Sequence, residues 1–185
     1  MRKIWLLVLI VTLIGCSYNK KKTLKKELEM LYSSTIELVV DSLFNYSYNY
    51  PDSVLFDNSY KTLVVYYDSL TCGICETRKL SSWQSLLLSI DTLECYMPFN
   101  VFFIFTPPMN QSTPLKIMLK NVDIDYPVII DEKRFFSNNN KHIPQNPLMH
   151  TFLLDENCRV LLVGDILYNT NVRNLFLNKI RTVEK

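Results

Sequence analysis

The apolar positions of this chain fall into short blocks with two rhythms, one of strands and one of helices. Leu63 to Tyr67 is a β-prone apolar run, and Phe99 to Phe105 is a continuous apolar stretch of strand length that Pro107-Pro108 terminates. Between them Leu80, Trp83, Leu86, Leu87 and Ile90 recur at helical spacing, so the order is strand, helix, strand, which implies a right-handed parallel unit. Leu115 to Leu119 reads as a short helix begun after Pro114, and Tyr126 to Ile130 as a strand closed by Asp131-Glu132. The Asn-rich stretch Ser137 to Lys141 reads as loop. Thr151 to Leu154 and Val160 to Val163 flank Asp155-Glu156-Asn157, the signature of a hairpin. Val172 to Ile180 then closes the pattern with a helix whose apolar face is Val172, Leu175, Phe176 and Ile180.

The N-terminal third follows other rules. Ile4 to Ile14 is an unbroken, largely apolar run behind Arg2 and Lys3, too short to span a bilayer comfortably, and it ends at Leu13-Ile14-Gly15-Cys16. That arrangement resembles a bacterial lipoprotein signal, which implies removal of residues 1–15 and lipidation of Cys16. An ordinary secretory signal or short anchor is the alternative, and either predicts export. Lys20, Lys21, Lys22, Lys25 and Lys26 follow, read as a solvated tether that could also meet anionic head groups. Leu24, Leu28, Leu31 and Tyr32 predict a helix over 23–33, taken as a spacer, and residues 35–60 predict short strands and turns. In that stretch Tyr46, Tyr48 and Tyr50 alternate with polar residues, as on a half-buried edge strand or an aromatic peptide-binding strip. No internal repeat is visible.

Composition narrows the possibilities. The chain has 185 residues, 48% of them hydrophobic, enough for one core, and 20 basic against 18 acidic residues leave a net charge of +2. Nothing in that balance calls for a nucleic acid partner. The expected organisation is a signal at 1–15, a lipidated tether with helix and edge segment at 16–60, and one domain at 61–185.

Candidate chemistry centres on Cys72-Gly73-Ile74-Cys75, placed where the first strand hands over to a helix. Two cysteines separated by two residues at a helix start can meet sulfur to sulfur, and unpaired amides with the helix dipole favour the thiolate of the first. That suits disulfide exchange; a structural disulfide or half of a zinc site is the bland alternative. Glu76 just after the pair would oppose a thiolate, while Arg78 and Lys79 would favour it.

The order of elements, the Cys-x-x-Cys, Tyr126-Pro127-Val128-Ile129-Ile130-Asp131 and Thr151 to Asn157 with Val160 to Gly164 together resemble the thioredoxin fold. The likeness is to thioredoxin-like lipoproteins of the TlpA and peroxiredoxin-related group common in Bacteroidetes, over about 61–180. It implies an α/β fold, a central mixed β-sheet flanked by helices with an N-terminal helical tether. It implies also that Cys72 attacks and Cys75 resolves, with no cofactor, acting on protein thiols and disulfides and served by an upstream reductant.

Two departures stand out. Thr71 occupies the place of a tryptophan common in relatives, and counting back from Phe152 puts Met149 where a cis-proline is usual, with Pro147 two residues earlier. His150 falls in that same loop and, protonated, would favour the Cys72 thiolate; the alternative is a strand-start residue facing solvent. His142 has less claim. If the fold is right, Cys95 and Cys158 lie at the pole opposite the pair, bridged or as two free thiols, and a zinc site from Cys72, Cys75, Cys158 and His150 would need groups from both poles. Ser17 after the lipidated cysteine resembles lipoproteins sorted to an outer membrane, facing the periplasm. Two functions remain: an exported thiol-disulfide oxidoreductase, or a binding module that keeps the scaffold and uses the cysteines as a staple.

Overall fold

The computed structural model describes residues 21–38, 57, 59–93 and 96–181. Helix α1 covers 21–32. Strand β1 (Thr62–Tyr67) follows, then a short helix α2 (Gly73–Glu76), a 3-10 turn and α3 (Leu80–Asp91). Next come β2 (Asn100–Phe105), α4 (Ser112–Leu119), β3 (Val128–Ile130), α5 (Phe135–Asn139), the hairpin β4 (Thr151–Leu154) and β5 (Val160–Val163), and α6 (Thr170–Ile180).

The five strands lie in the order β3-β2-β1-β4-β5. β1, β2 and β3 run parallel, while β4 is antiparallel to β1 and β5 to β4. A parallel β-α-β unit joined edge to edge with an antiparallel hairpin, its cysteine pair at the carboxyl end of the central strand, is the thioredoxin-like arrangement implied by the sequence. β1 is central and all six of its residues are buried.

Alternation divides the strand residues between two apolar layers. Leu63, Val65 and Tyr67 of β1 join Val101, Phe103 and Phe105 of β2 against Leu80, Trp83 and Leu87 of α3, with Phe176 and Ile180 of α6. Val64, Tyr66, Phe102, Ile104 and Phe152 fill the other face with Leu31, Ile36 and Phe136. Burial on both faces explains why β1 and β2 read as unbroken apolar runs.

Three differences from the sequence expectations have identifiable structural causes. Helix α1 and the segment after it are more than a spacer: Leu31 of the helix and Ile36 beyond it are 0% and 1% exposed in the second layer, and the Ile36 amide donates to the Cys158 carbonyl at 2.9 Å. The Asn-rich stretch is helical through Asn139, because both carboxylate oxygens of buried Asp131 accept from the first amides of α5, Phe135 at 2.8 Å and Phe136 at 2.9 Å. Asn140 then ties that helix to the N-terminal segment, accepting from the Glu37 amide at 2.7 Å and donating to the Glu37 carbonyl at 3.0 Å. In α6, Leu175 is half exposed at 52% whereas Phe176 and Ile180 are buried, so the packed stripe runs through 172, 176 and 180. Tyr46, Tyr48, Tyr50, Cys16 and Cys95 lie outside the described residues.

Candidate active site at the Cys72–Cys75 disulfide

The loop between β1 and α2 is closed by one side chain. Asp68 Oδ1 accepts from the Leu70 amide at 3.1 Å, the Thr71 amide at 2.9 Å and the Thr71 hydroxyl at 2.7 Å. Thr71 is therefore half of an Asp-based turn that fixes the approach to Cys72. The Asp-x-x-Thr spacing was available in the sequence as a turn signal.

Cys72 caps α2, and its Sγ is bonded to Cys75 Sγ with the Cα atoms 5.2 Å apart. Cys72 Sγ also accepts from the Cys75 amide at 3.3 Å, and the Glu76 amide reaches the Cys72 carbonyl at 3.0 Å. Charge on the Cys72 sulfur is thus met by a directed N–H donor. Both cysteines are exposed, so Cys75 is not screened by apolar neighbours as its place one turn into the helix suggests. Lys79 Nζ lies 2.8 Å from Glu76 Oε2, which partly neutralises the acid closest to the pair.

A groove of about 170 Å³ runs beside the disulfide, walled by Tyr67, Thr71, Glu76, Lys79, Trp83 and His150 among others. Burial, reinforced by Glu76, holds the Tyr67 phenol well above its ordinary range, so it stays protonated and able to donate. Leu148 and Tyr168 are exposed on the same wall.

The loop ahead of β4 departs from the expected cis-proline. Every described peptide bond is trans, and Pro147 opens a 3-10 turn, Pro147–Met149, with Asn146 as its cap. Leu148 donates to Asn146 Oδ1 at 3.2 Å, Met149 to the Asn146 carbonyl at 2.9 Å and His150 to the Pro147 carbonyl at 3.1 Å. Met149 is 3% exposed and packs in the second layer. The amides of this loop are thus committed within it and are not free to pair with an extended polypeptide.

His150 neither faces solvent nor carries a proton for Cys72 at neutral pH. It is 3% exposed, its Nε2 bonds the Pro144 carbonyl at 2.7 Å, and its ring centroid lies 5.1 Å from that of Tyr66. A carbonyl only accepts, so Nε2 bears the hydrogen and Nδ1 is bare; it is buried without a partner. Burial pulls the His150 pKa below 6.5, against the opposing pull of the Pro144 carbonyl and Asp68. The folded ring binds its proton less tightly than the unfolded one, so its contribution is full above 6.5 and is lost as pH falls through the lower folded value. Urea midpoints should therefore fall from roughly pH 7 to roughly pH 5 in the parent and fall less in His150→Gln. Equal slopes would remove His150 from that account.

Cys158 is a free thiol; the bridge expected as one alternative would need Cys95, which lies outside the described residues. Cys158 sits at φ 59° in the β4–β5 turn, half buried beside Ile36 and Leu31. Burial, then Asp155, pushes its thiol pKa up. Thr62 pairs with Leu154 and Val65 with Thr151, which puts this turn at the start of β1, away from the disulfide at its end. The four-ligand zinc set is not assembled, and among the described residues no three His, Cys, Asp or Glu side chains cluster as a metal site.

Neither a family model nor a curated protein matches the chain. Solved structures with a similar course of chain include a thiol-disulfide isomerase from Corynebacterium glutamicum, 16% identical over 72% of this chain and 90% of that one, with a TM-score of 0.48. The pneumococcal exposed lipoprotein thioredoxin of Streptococcus pneumoniae is 14% identical over 66% and 87%, with a TM-score of 0.47. The thioredoxin domain of a thiol-disulfide oxidoreductase from Bacteroides vulgatus is 19% identical over 65% of this chain and 81% of that one, with a TM-score of 0.42.

Proposed function

We propose that the chain is an exported, lipid-anchored thiol-disulfide oxidoreductase that acts on cysteines of other cell-envelope proteins. The observation that carries this reading is the exposed Cys72–Cys75 disulfide at the end of the central strand, with Cys72 Sγ receiving the Cys75 amide. In the reduced protein, the Cys72 thiolate attacks a substrate disulfide, forming a mixed disulfide and releasing one substrate thiolate. Cys75, deprotonated, then attacks Cys72 Sγ, the second substrate thiolate leaves, and two electrons have passed to the substrate. An upstream protein dithiol returns them by the reverse exchange. Neither metal nor organic cofactor enters this scheme.

Support for export and anchoring is sequence alone: Arg2 and Lys3, the run Ile4 to Ile14, and Gly15-Cys16 with Ser17 after it. The mature chain should begin at Cys16 and carry a fatty-acid analogue there. Unchanged labelling of Cys16→Ser would exclude the anchor at that residue. The expected address is the outer membrane, facing the periplasm, where disulfides persist.

A second reading, a binding scaffold stapled by the disulfide, draws on the committed amides of the Pro147–Met149 turn. The reduction potential of the pair separates the two. We expect a value between about −120 and −270 mV, the range of exchange proteins, and a value below about −300 mV would make the disulfide a staple.

A further inference from the structure

Two loops from distant parts of the chain meet at the groove beside the disulfide. One is the Pro147–Met149 turn, which lies at the end of β1, where the Tyr66 amide donates to the His150 carbonyl at 2.8 Å. The other follows β5: Gly164, at φ 133°, turns the chain out of the strand, and Asp165, Leu167 and Tyr168 line the groove before α6 begins.

This second loop is fastened from both sides. Asp165 Oδ1 accepts from the Leu167 amide at 2.8 Å and the Tyr168 amide at 3.0 Å. Arg173, in the first turn of α6, donates through Nε to the Ile166 carbonyl at 2.8 Å and through Nη2 to the Leu167 carbonyl. Ile166 and Leu167 are buried, so the backbone that carries Tyr168 is fixed while Tyr168 itself is 63% exposed. Leu148 is its counterpart on the first loop, 70% exposed next to buried Met149. Two large side chains thus stand in water beside the groove, each on a backbone held by its own hydrogen bonds, which lowers the cost of ordering them on binding.

Size and charge define what fits. At about 170 Å³ the groove is smaller than sites for drug-sized molecules, which take about 300–1,000 Å³, and it suits a side chain of a larger partner. Its charged groups are already engaged, Glu76 with Lys79 and Asp165 with the two amides. Thr71 and Glu76, which flank the cysteine pair, both line the groove, so a polypeptide joined to Cys72 lays the residues next to its own cysteine along it. The amides of the Pro147–Met149 turn are closed to main-chain pairing with that polypeptide.

We propose that Leu148 and Tyr168 hold a large apolar side chain adjacent to the substrate cysteine, with Arg173 positioning Tyr168, so that the protein prefers disulfides set in apolar polypeptide segments. The inference rests on the exchange reading of Cys72 and Cys75 and names its substrate class. Recognition is through side chains and not through pairing of main chains.

The reduced full chain in detergent is mixed with disulfide-linked dimers of Gly-Phe-Cys-Phe-Gly or Gly-Ser-Cys-Ser-Gly, or with hydroxyethyl disulfide, and formation of the Cys72–Cys75 bond is followed by acid quenching and mass spectrometry. Each turnover oxidises the pair to its disulfide and reduces one substrate disulfide to two thiols. At low concentration the phenylalanine peptide should react roughly tenfold faster than the serine peptide, the usual order of discrimination by an apolar pocket. That ratio should fall toward one in Leu148→Ser and in Tyr168→Ser and be kept in Tyr168→Phe; both positions are exposed, so circular dichroism should be unchanged. Arg173→Gln should raise the half-saturating concentration of the phenylalanine peptide several-fold and leave the limiting rate as it was. N-methylation of the peptide amides beside the cysteine should preserve the ratio. Equal rates for the two peptides, a ratio that survives both serine substitutions, or its loss on N-methylation would overturn the proposal alone, provided hydroxyethyl disulfide still oxidises the pair. An unmoved half-saturating concentration in Arg173→Gln would overturn its positioning role. No reaction with any of the three disulfides would remove the exchange reading and this proposal with it.

Discussion

Cells producing Cys75→Ser accumulate partner-linked, reductant-sensitive adducts on Cys72, and cells producing Cys72→Ser accumulate none: this is the expected result of acid quenching followed by mass spectrometry. Loss of the resolving thiol leaves attack possible but strands the mixed disulfide. The assignment of Cys72 as nucleophile rests on local electrostatics. Its sulfur caps α2 and accepts the Cys75 amide at 3.3 Å, and no such donor is seen for the Cys75 sulfur among the described residues. Exposure does not separate the two, since both residues are open to solvent. Either substitution should remove steady-state disulfide reduction almost completely, because the two thiols act as one unit. Adducts on Cys75 in the Cys72 variant, with none in the converse, would reverse the roles. Adducts in neither variant would favour the stapled scaffold.

Leu31→Ala should destabilise the protein by about 2–5 kcal/mol, the usual loss for a fully buried leucine. Leu31 is 0% exposed and packs in the same layer as Val64, Tyr66 and Phe152, on the sheet face opposite α3. At about 2–4 °C per kcal/mol for a chain of this size, the thermal midpoint should move by several degrees at least. Leu24→Ala, on the same helix at a residue 39% exposed, is the control and should cost under about 1 kcal/mol. If the two substitutions cost the same small amount, α1 is a spacer after all and its packing contributes nothing.

Much of the fold was legible because it rests on local signals. The double-sided burial of β1 and β2 writes itself as unbroken apolar runs, and α3 as a stripe of Leu80, Trp83, Leu87 and Ile90. The parallel unit of β1, α3 and β2 and the hairpin around Asp155 are local in the same sense, whereas the pairing of β4 with β1 joins segments far apart along the chain. The Cys-x-x-Cys could be placed at the strand-helix junction for the same reason, since its position depends only on where one rhythm gives way to the other.

What the sequence could not decide is what depends on partners distant along the chain. Ser137 to Lys141 has poor helix formers, and it is helical as far as Asn139 because Asp131 caps the helix and Asn140 binds Glu37 some hundred residues away. The exposure of Cys75 depends on which elements fail to cover it, which no helical spacing records. The state of His150 is of the same kind: the Pro144 carbonyl fixes its tautomer and burial its charge, so a residue that titrates near neutrality in water is neutral here. Periodicity reports which face of an element is apolar; only the folded chain determines what that face meets and which polar groups are left without a partner.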